Sequence, residues 1–346
     1  MGTEIIETAV KGRWFRIPAL NVGGKHVIVR GKWLKIAYVN NEQWLETEVE
    51  DPDLCVKMLK GQGAGGLRSD IFTFAQKLPT TNPKYRYTLE WDSVAAVHVT
   101  SYKDWWESLP QESRKNVRRS QKRGVTVLVK KLDEALLQDL LALNNDSPVR
   151  QGKVFTHYGK TFEQVTRDQT DFLDRSDYIC AYHEKELIGV LKLIYRGDIA
   201  SILTFLPKAT HNDKRPANAL IAKAVELCEE KKLSYLTYGM FNYGNKRHTP
   251  LREFKIRNGF GETLVPRFYV PLTAKGAISL KLNLHRGLLG ILPHDVITFL
   301  VNTRAKLYNL YMSRCSSTSE RPNRTRQMER STPPAGSNHK QSVLDR

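Results

Sequence analysis

Residues 177–205 run DYICAYHEKELIGVLKLIYRGDIASILTF. Apolar runs at 178–182, 187–194 and 201–206 are broken only by short polar stretches, which predicts three successive β-strands. Downstream, Ala217, Leu220, Ile221, Ala224, Val225 and Cys228 recur at helical spacing, predicting a helix to about Lys231 with one face buried against a sheet. A strand at 233–238, a short helix near Phe254 and a strand at 264–271 follow. Upstream, 125–129 is a strand, 132–143 an amphipathic helix, 144–160 a polar loop and 162–173 a second helix. The expected order over 125–273 is β-α-α-β-β-β-α-β-α-β, an α/β (α+β) fold with a mixed central sheet flanked by helices.

The 346 residues suffice for two domains, and the formal net charge is +18. An excess of that size points to a polyanionic partner: nucleic acid, a phosphorylated cofactor or an anionic membrane surface. Part of it lies in 313–346, rich in Ser, Pro, Asn and Arg and expected to be a disordered basic tail. Cys55, Cys180, Cys228 and Cys315 are scattered without metal-binding spacing, so neither a metal site nor a disulfide framework is expected. No apolar signal segment opens the chain. The longest apolar stretch, 287–301, is interrupted by Pro293, His294 and Asp295 and is too short to span a bilayer. A cytoplasmic, reducing setting is the expectation.

Residues up to about Val99 are expected to be mostly strand, with β-rich runs at 27–29, 34–39 and 95–99. The glycine-rich stretch 61–66 lacks the ending of a phosphate loop and is expected to be a flexible loop. Ser101 with Asp104, and Ser108 with Gln111, form two capping boxes, and Pro110 suits the first turn of a helix that runs to Arg123 and stops at Gly124. Toward the C-terminus, Val296, Leu300, Leu307 and Tyr311 share one side of a helix at 295–311 beside Arg304 and Lys306. It is expected to pack on the domain, with peripheral membrane contact through 287–311 as the alternative.

Three segments could carry chemistry. Lys214 and Arg215 open the central helix, where a cation opposes the macrodipole by roughly 0.3–1 kcal/mol. A phosphate held by both side chains and the free N–H groups removes that conflict, as does neutralisation by Asp213. Asn212 or Asp213 is the expected cap. Arg114, Lys115, Arg118, Arg119, Lys122 and Arg123 occupy about half the circumference of their helix, with Glu112 the only nearby acid. Repulsion at i,i+4 spacing makes a bound polyanion a reasonable inference over a solvated face. His157, in the polar loop 155–160, is the residue type suited to taking a proton from an amine or hydroxyl near neutrality, or it is a loop histidine bonded to backbone.

The segment 109–124 resembles the one that precedes the acyltransferase core of FemAB-like proteins, a branch of the GNAT superfamily, and the strand and helix order over 125–273 is similar to that of GNAT folds. Phe254-Lys-Ile-Arg-Asn-Gly-Phe260 is similar to the FK-x-x-x-GF signature that closes FemAB-like domains. The resemblance implies an acyltransferase moving an acyl group, from acetyl-CoA or another acyl-CoA, to an amine or hydroxyl of a small-molecule, sugar or peptide acceptor. It implies a cofactor site at Phe205, Lys214, Arg215, Ala217 and Asn218, although both glycines of the GNAT pyrophosphate loop are absent here. It implies that the His157 loop lines the acceptor side, that Tyr238 or Tyr243 protonates the leaving thiolate, and that Lys255 steadies a carboxylate, phosphate or oxyanion. Two alternatives stand beside it: a ligase that takes its acyl group from aminoacyl-tRNA, and a non-catalytic anion-binding or membrane-surface adaptor. The implied organisation is an N-terminal β-rich, degenerate GNAT-like half (1–100), a basic helical segment (101–124), the acyltransferase core (125–275), amphipathic helices (276–312) and the tail.

Overall fold

Backbone pairing joins both halves of the chain. The computed structural model describes residues 2–10, 12–45, 47–61, 67–150, 153–243, 249–287 and 303. The N-terminal half contributes β1 (Thr3–Val10), β2 (Arg13–Val22), β3 (Lys25–Arg30), β4 (Ile36–Val39), α1 (Pro52–Lys60), β5 (Ile71–Ala75) and β6 (Thr88–His98). After α2 (Tyr102–Ser108) and α3 (Gln111–Lys122) come β7 (Val125–Lys130), α4 (Glu134–Asn144), a small hairpin of β8 (Val149–Arg150) and β9 (Lys153–Val154), and α5 (Phe162–Gln169). Then follow β10 (Ser176–His183), β11 (Glu186–Arg196), β12 (Ile199–Pro207), α6 (Pro216–Glu230), β13 (Tyr235–Met240), α7 (Pro250–Arg257), β14 (Gly261–Pro271) and α8 (Ala274–Lys281).

Among the described residues, twelve strands form one sheet in the order β1-β2-β3-β4-β5-β14-β6-β13-β12-β11-β10-β7. The two flanks repeat one plan. An antiparallel meander, β1 to β4, passes through α1 to β5, which pairs parallel with β4 over Ile36–Ile71, Ala37–Phe72 and Tyr38–Thr73. On the other flank β7, β10, β11 and β12 are antiparallel neighbours, and α6 leads to β13, parallel to β12 over Ile199–Tyr235, Ala200–Leu236 and Ser201–Thr237. The middle strands are exchanged. β6, from the N-terminal half, pairs with β13, while β14, from the C-terminal half, pairs with β5 and β6. The boundary expected near residue 100 therefore falls inside a continuous sheet.

Burial explains the apolar runs. Ile179, Ala181, Ile188 and Leu193 face Leu220, Ile221, Ala224, Val225 and Cys228 of α6. Tyr178, Cys180, Leu187 and Val190 face the other way, against Leu136, Leu140 and Leu143 of α4 and Val165 of α5. A strand covered on both faces has no polar side, so it reads as an unbroken apolar run. A third core joins Val27, Val39, Cys55, Leu59, Phe72 and Phe74 to Phe268 of the exchanged strand.

Several local expectations are corrected. The N-terminal half includes a helix, α1, capped by Asp51, whose carboxylate accepts from Leu54 N–H at 2.8 Å. Ser101 caps α2 as expected, but Ser108 does not cap α3: its hydroxyl donates to the Trp105 carbonyl at 2.7 Å. Pro110 is itself the residue before α3, in extended conformation with no side-chain cap. α5 ends at Gln169, and Phe172 enters the left-handed region (φ 60) before a 3₁₀ turn at Leu173–Arg175. The loop expected over 144–160 holds the β8–β9 hairpin. Neither Asn212 nor Asp213 caps α6, because Arg215, at φ 57, is the residue before it and no side chain caps its first turn. A missing cap forfeits about 1 kcal/mol. Burial of Leu220, Ile221 and Val225 contributes about 2 kcal/mol each, so packing rather than capping holds α6. Within the glycine-rich stretch, 62–66 lie outside the described residues, as do 244–248, the helix expected at 295–311 (apart from residue 303) and the tail at 313–346.

The turn after α7 is fixed from three sides. Trp105 Nε1 donates to the Asn258 carbonyl at 3.1 Å, Asn258 Nδ2 donates to the Phe254 carbonyl at 2.7 Å, and Asn218 Nδ2 donates to Asn258 Oδ1 at 3.0 Å. Gly259 has φ +85, and a Cβ there would sit 2.6 Å from Trp105 Nε1. Gly259→Ala combines that clash with left-handed strain and is expected to lower unfolding stability by roughly 2–4 kcal/mol. Urea denaturation checks this, and an unchanged midpoint would show that the turn tolerates a side chain.

Candidate functional site

Between β12 and β13 the backbone opens. Their last paired rung is Ser201–Thr237, where the two hydroxyl oxygens lie 2.7 Å apart, although β12 continues to Pro207 and β13 to Met240. Each strand is irregular where it leaves the other. β12 carries an extra residue against β11, since Leu193 pairs with Ile202 and Lys192 with Thr204. β13 slips against β6 between Thr237 and Met240, with Gly239 at φ +57. Bulges of this kind bend a strand away from its neighbour, and they leave the backbone groups along this edge of β12 without a strand partner.

Aromatic rings line the opening on the α6 side. Phe205 of β12 lies 5.5 Å from Tyr238 of β13 and 5.5 Å from Phe254 of α7, and Tyr238 lies 5.9 Å from Phe260. Lys255 is completely buried beside them. Its Nζ donates to the Met240 carbonyl at 2.6 Å and stands 4.6 Å from the Tyr238 ring and 5.0 Å from the Tyr243 ring. No carboxylate pairs with it among the described residues. Burial lowers its pKa to about 8. Burial also raises the Tyr238 phenol well above its ordinary range, so that it stays protonated at neutral pH, and its hydroxyl has no hydrogen-bond partner among the described residues. The structure thus brings together four of the residues singled out in the sequence, namely Phe205, Tyr238, Tyr243 and Lys255, and Asn218 joins them through Asn258.

The basic helix reaches the start of α6. Arg123 donates to the Asp213 carbonyl and lies 3.3 Å from its carboxylate, and Lys214 Nζ is 3.5 Å from the same carboxylate. Arg215 is exposed and Ala217 half-buried. One acid therefore serves two cations. Along α3, Ser113, Val117 and Ser120 face inward, while Lys115, Arg118, Lys122 and Arg123 are exposed and Arg114 and Arg119 half-buried. Arg118 stacks over Trp106 at 5.5 Å, and Arg119 donates to Asn116 at 3.0 Å with Glu112 3.8 Å away.

His157 belongs to a different cluster. Its Nδ1 lies 3.1 Å from Asp168 Oδ2, which Lys160 also contacts, while Trp14 Nε1 donates to Asp168 Oδ1 at 3.0 Å and Lys160 reaches the Gly12 carbonyl at 2.9 Å. Burial works against the Asp168 carboxylate, but the hydrogen bonds from His157, Lys160 and Trp14 outweigh it and hold its pKa low. No described contact joins His157 to Tyr238 or Lys255.

Sequence reasoning missed the opposite side of the opening. Ser201 and Thr237 alternate with Ala200, Ile202 and Leu236, which pack toward α6, so they face the other way. There a cavity of about 100 Å³ is bounded by Ser201, Thr237 and Met240 together with charged side chains from both halves: Glu42, Lys77, Asp92, Arg196 and Arg267. Arg267 holds Glu42 at 2.9 Å and Asp92 at 2.6 Å. One signal was available in the sequence: Lys192 and Arg196 are cations four apart on one face of an otherwise apolar strand. Lys192 is fully buried and donates to the Gln169 and Asp171 carbonyls, at 2.8 Å each, past the end of α5.

With this geometry the chain is similar to three solved structures. The L-PGS structure from Bacillus licheniformis is 13% identical over 77% of this chain and 86% of that one, with a TM-score of 0.49. FemX is 10% identical over 81% and 90%, with a TM-score of 0.44. A tandem GNAT protein from the clavulanic acid biosynthesis pathway is 9% identical over 75% and 83%, with a TM-score of 0.40. No family model and no curated protein sequence matches the chain. Among the described residues no helix is long and apolar enough to cross a membrane.

Lys255 gives the site a pH signature. Below about pH 8 it is charged in both folded and unfolded chains, and the folded state bears the full cost of burying that charge. Between about 8 and the ordinary 10.5 only the unfolded chain keeps the proton, so stability rises with pH. Lys255→Met is expected to be relatively more stable at pH 7, and its advantage over the natural protein should shrink by about 3 kcal/mol by pH 10.5. Urea unfolding across that range checks this, and a constant difference would mean that Lys255 titrates normally.

Proposed function

We propose that the chain is an acyltransferase that moves an acyl group to an amine or hydroxyl of a polar acceptor across the opening between β12 and β13. The observation that carries this is the opening itself: an unpaired strand edge on one side and, beside it, an aromatic lining over a buried cation with no counter-carboxylate. A free N–H on the β12 edge can donate to the acyl carbonyl and polarise it. Lys255 supplies positive charge near the oxyanion that develops when the acceptor attacks. Tyr238, protonated throughout the neutral range, is suited to donate its proton to the departing group. His157 is held by Asp168 away from these groups, so the acceptor proton leaves through water.

For the donor we propose an acyl-CoA. The α6 start, with Lys214 and Arg215, the partner acid Asp213 and Arg123 from α3, offers cations and uncapped backbone N–H groups to a pyrophosphate. Titration calorimetry with acetyl-CoA at physiological salt, with dephosphorylated coenzyme and ATP as controls, tests this. Saturable binding that the controls fail to reproduce is expected. Tyr238→Phe should then lower turnover about 100-fold with little change in donor affinity, and equal loss of both would make Tyr238 a binding residue only.

A second donor, aminoacyl-tRNA, is favoured by one observation: the exposed residues of α3 and of the position after it include the cations Lys115, Arg118, Lys122 and Arg123 against a single acid, Glu112. Failure of acetyl-CoA to bind, together with acyl-tRNA binding that weakens steeply with salt and with Lys115→Gln and Lys122→Gln, would select it.

A further inference from the structure

The cavity on the sheet face away from α6 holds more positive charge than it neutralises. With Lys77 protonated, its three cations, Lys77, Arg196 and Arg267, face two carboxylates, Glu42 and Asp92, which leaves one positive charge in excess. Both carboxylates are held by Arg267. Arg196 is 9% exposed, and its one hydrogen bond among the described residues is from Nη1 to the Gln43 carbonyl at 2.6 Å. Lys77 Nζ donates to the Glu42 carbonyl and makes no ion pair among the described residues, while the Lys77 backbone N–H donates to Glu48 Oε2 at 3.1 Å. Arg175, fixed to the Trp44 carbonyl at 2.7 Å, adds like charge close to Arg196, and the carboxylates of Asp198 and Glu42 act on it in the opposite sense. A guanidinium that spends one N–H on a carbonyl keeps its other donors for a ligand, and a planar fork of N–H groups is matched best by a planar oxyanion.

We infer that this cavity binds the carboxylate of a small monoanionic ligand, with Arg196 as the fork and Lys77 as the second cation. A carboxylate cancels the single excess charge, whereas a phosphate dianion would reverse it. The volume of about 100 Å³ admits a group of that size and no bulky one. Because Ser201, Thr237 and Met240 bound both the cavity and the opening, the ligand reaches the unpaired edge from the side opposite α6. Resting on the acyl-transfer reading, the ligand is the acceptor, and its carboxylate is the group by which it is selected.

Lys77 gives the binding a distinct signature. Burial, with Arg196 next in effect, lowers the Lys77 pKa to about 7 against the opposing pull of Glu42 and Glu48, and Arg267 lowers it further. A bound anion raises it again, so the protein takes up protons on binding between about pH 7 and 9.

The probe is acetate, titrated into the full chain with acetamide and ionic-strength-matched chloride as controls, read by thermal shift and by calorimetry in buffers of different ionisation enthalpy. The expected result is saturable stabilisation by acetate alone, with proton uptake at pH 8, and affinity at least tenfold weaker in Arg196→Met. Lys77→Met should keep part of the affinity and lose the proton uptake. Arg196→Lys, which keeps the charge but not the fork, covers the case in which Arg196→Met does not fold, and it too should lose most of the affinity. Equal effects of acetate and chloride, an unchanged Arg196→Lys, or tighter binding of inorganic phosphate through Arg196 would each overturn the assignment. None of these readouts requires turnover. Acetate binding without acyl transfer would refute the proposed reaction and leave the carboxylate site standing, and transfer to an uncharged acceptor without acetate binding would do the reverse.

Discussion

Parallel strands hold one another through backbone hydrogen bonds, and between β12 and β13 those bonds stop at Ser201 and Thr237. Most of what distinguishes this molecule follows from that divergence. Strands that separate inside a sheet expose polar backbone where packing would otherwise exclude water, which is costly unless something fills the space. Here Phe205, Tyr238 and Phe254 close over one side and a charged cavity lies on the other. The bulges that cause the opening, at Leu203 and around Gly239, sit on two different strands, so a single irregularity does not account for it.

The buried cations separate into two kinds. Lys192 is as deeply buried as Lys255, but it donates to two carbonyls past the end of α5, where a positive charge also suits the helix dipole. That arrangement is structural. Lys255 has one carbonyl and two aromatic faces, which leaves much of its hydration unreplaced. A hydrogen bond to a charged group contributes about 1.5–3 kcal/mol, and one such bond does not offset the desolvation of an ammonium. Groups held at a cost of this kind cluster where a ligand or a developing charge meets them.

Exchange of the middle strands ties the site to the whole sheet. β6 supports β13 from the N-terminal half, and β14 carries Arg267 into contact with Glu42 across 225 positions of sequence. The cavity is therefore assembled by neither half alone. Displacing β14 would remove the partner of both cavity carboxylates, so the charge balance at Arg196 depends on the register of a strand that does not itself border the opening.

The strands β10 and β11 were legible in the sequence because they are covered on both faces, and double coverage writes itself as continuous apolar runs. The α6 helix was legible from its spacing. The capping of α3 and α6 was misjudged, since Ser108 and Asp213 had other partners: the Trp105 carbonyl for one, Arg123 and Lys214 for the other. Of the site, the sequence singled out Phe205, Tyr238, Asn218 and Lys255 through its resemblance to the FemAB-like branch, and they lie on or beside elements whose order is readable locally. Only the tertiary structure decided that His157 lies apart from them and that Glu42, Lys77, Asp92, Arg196 and Arg267 meet. Those placements arise from strand exchange and long-range register, which leave no periodic trace in the chain, because backbone hydrogen bonds between distant strands impose no pattern on the side chains between them.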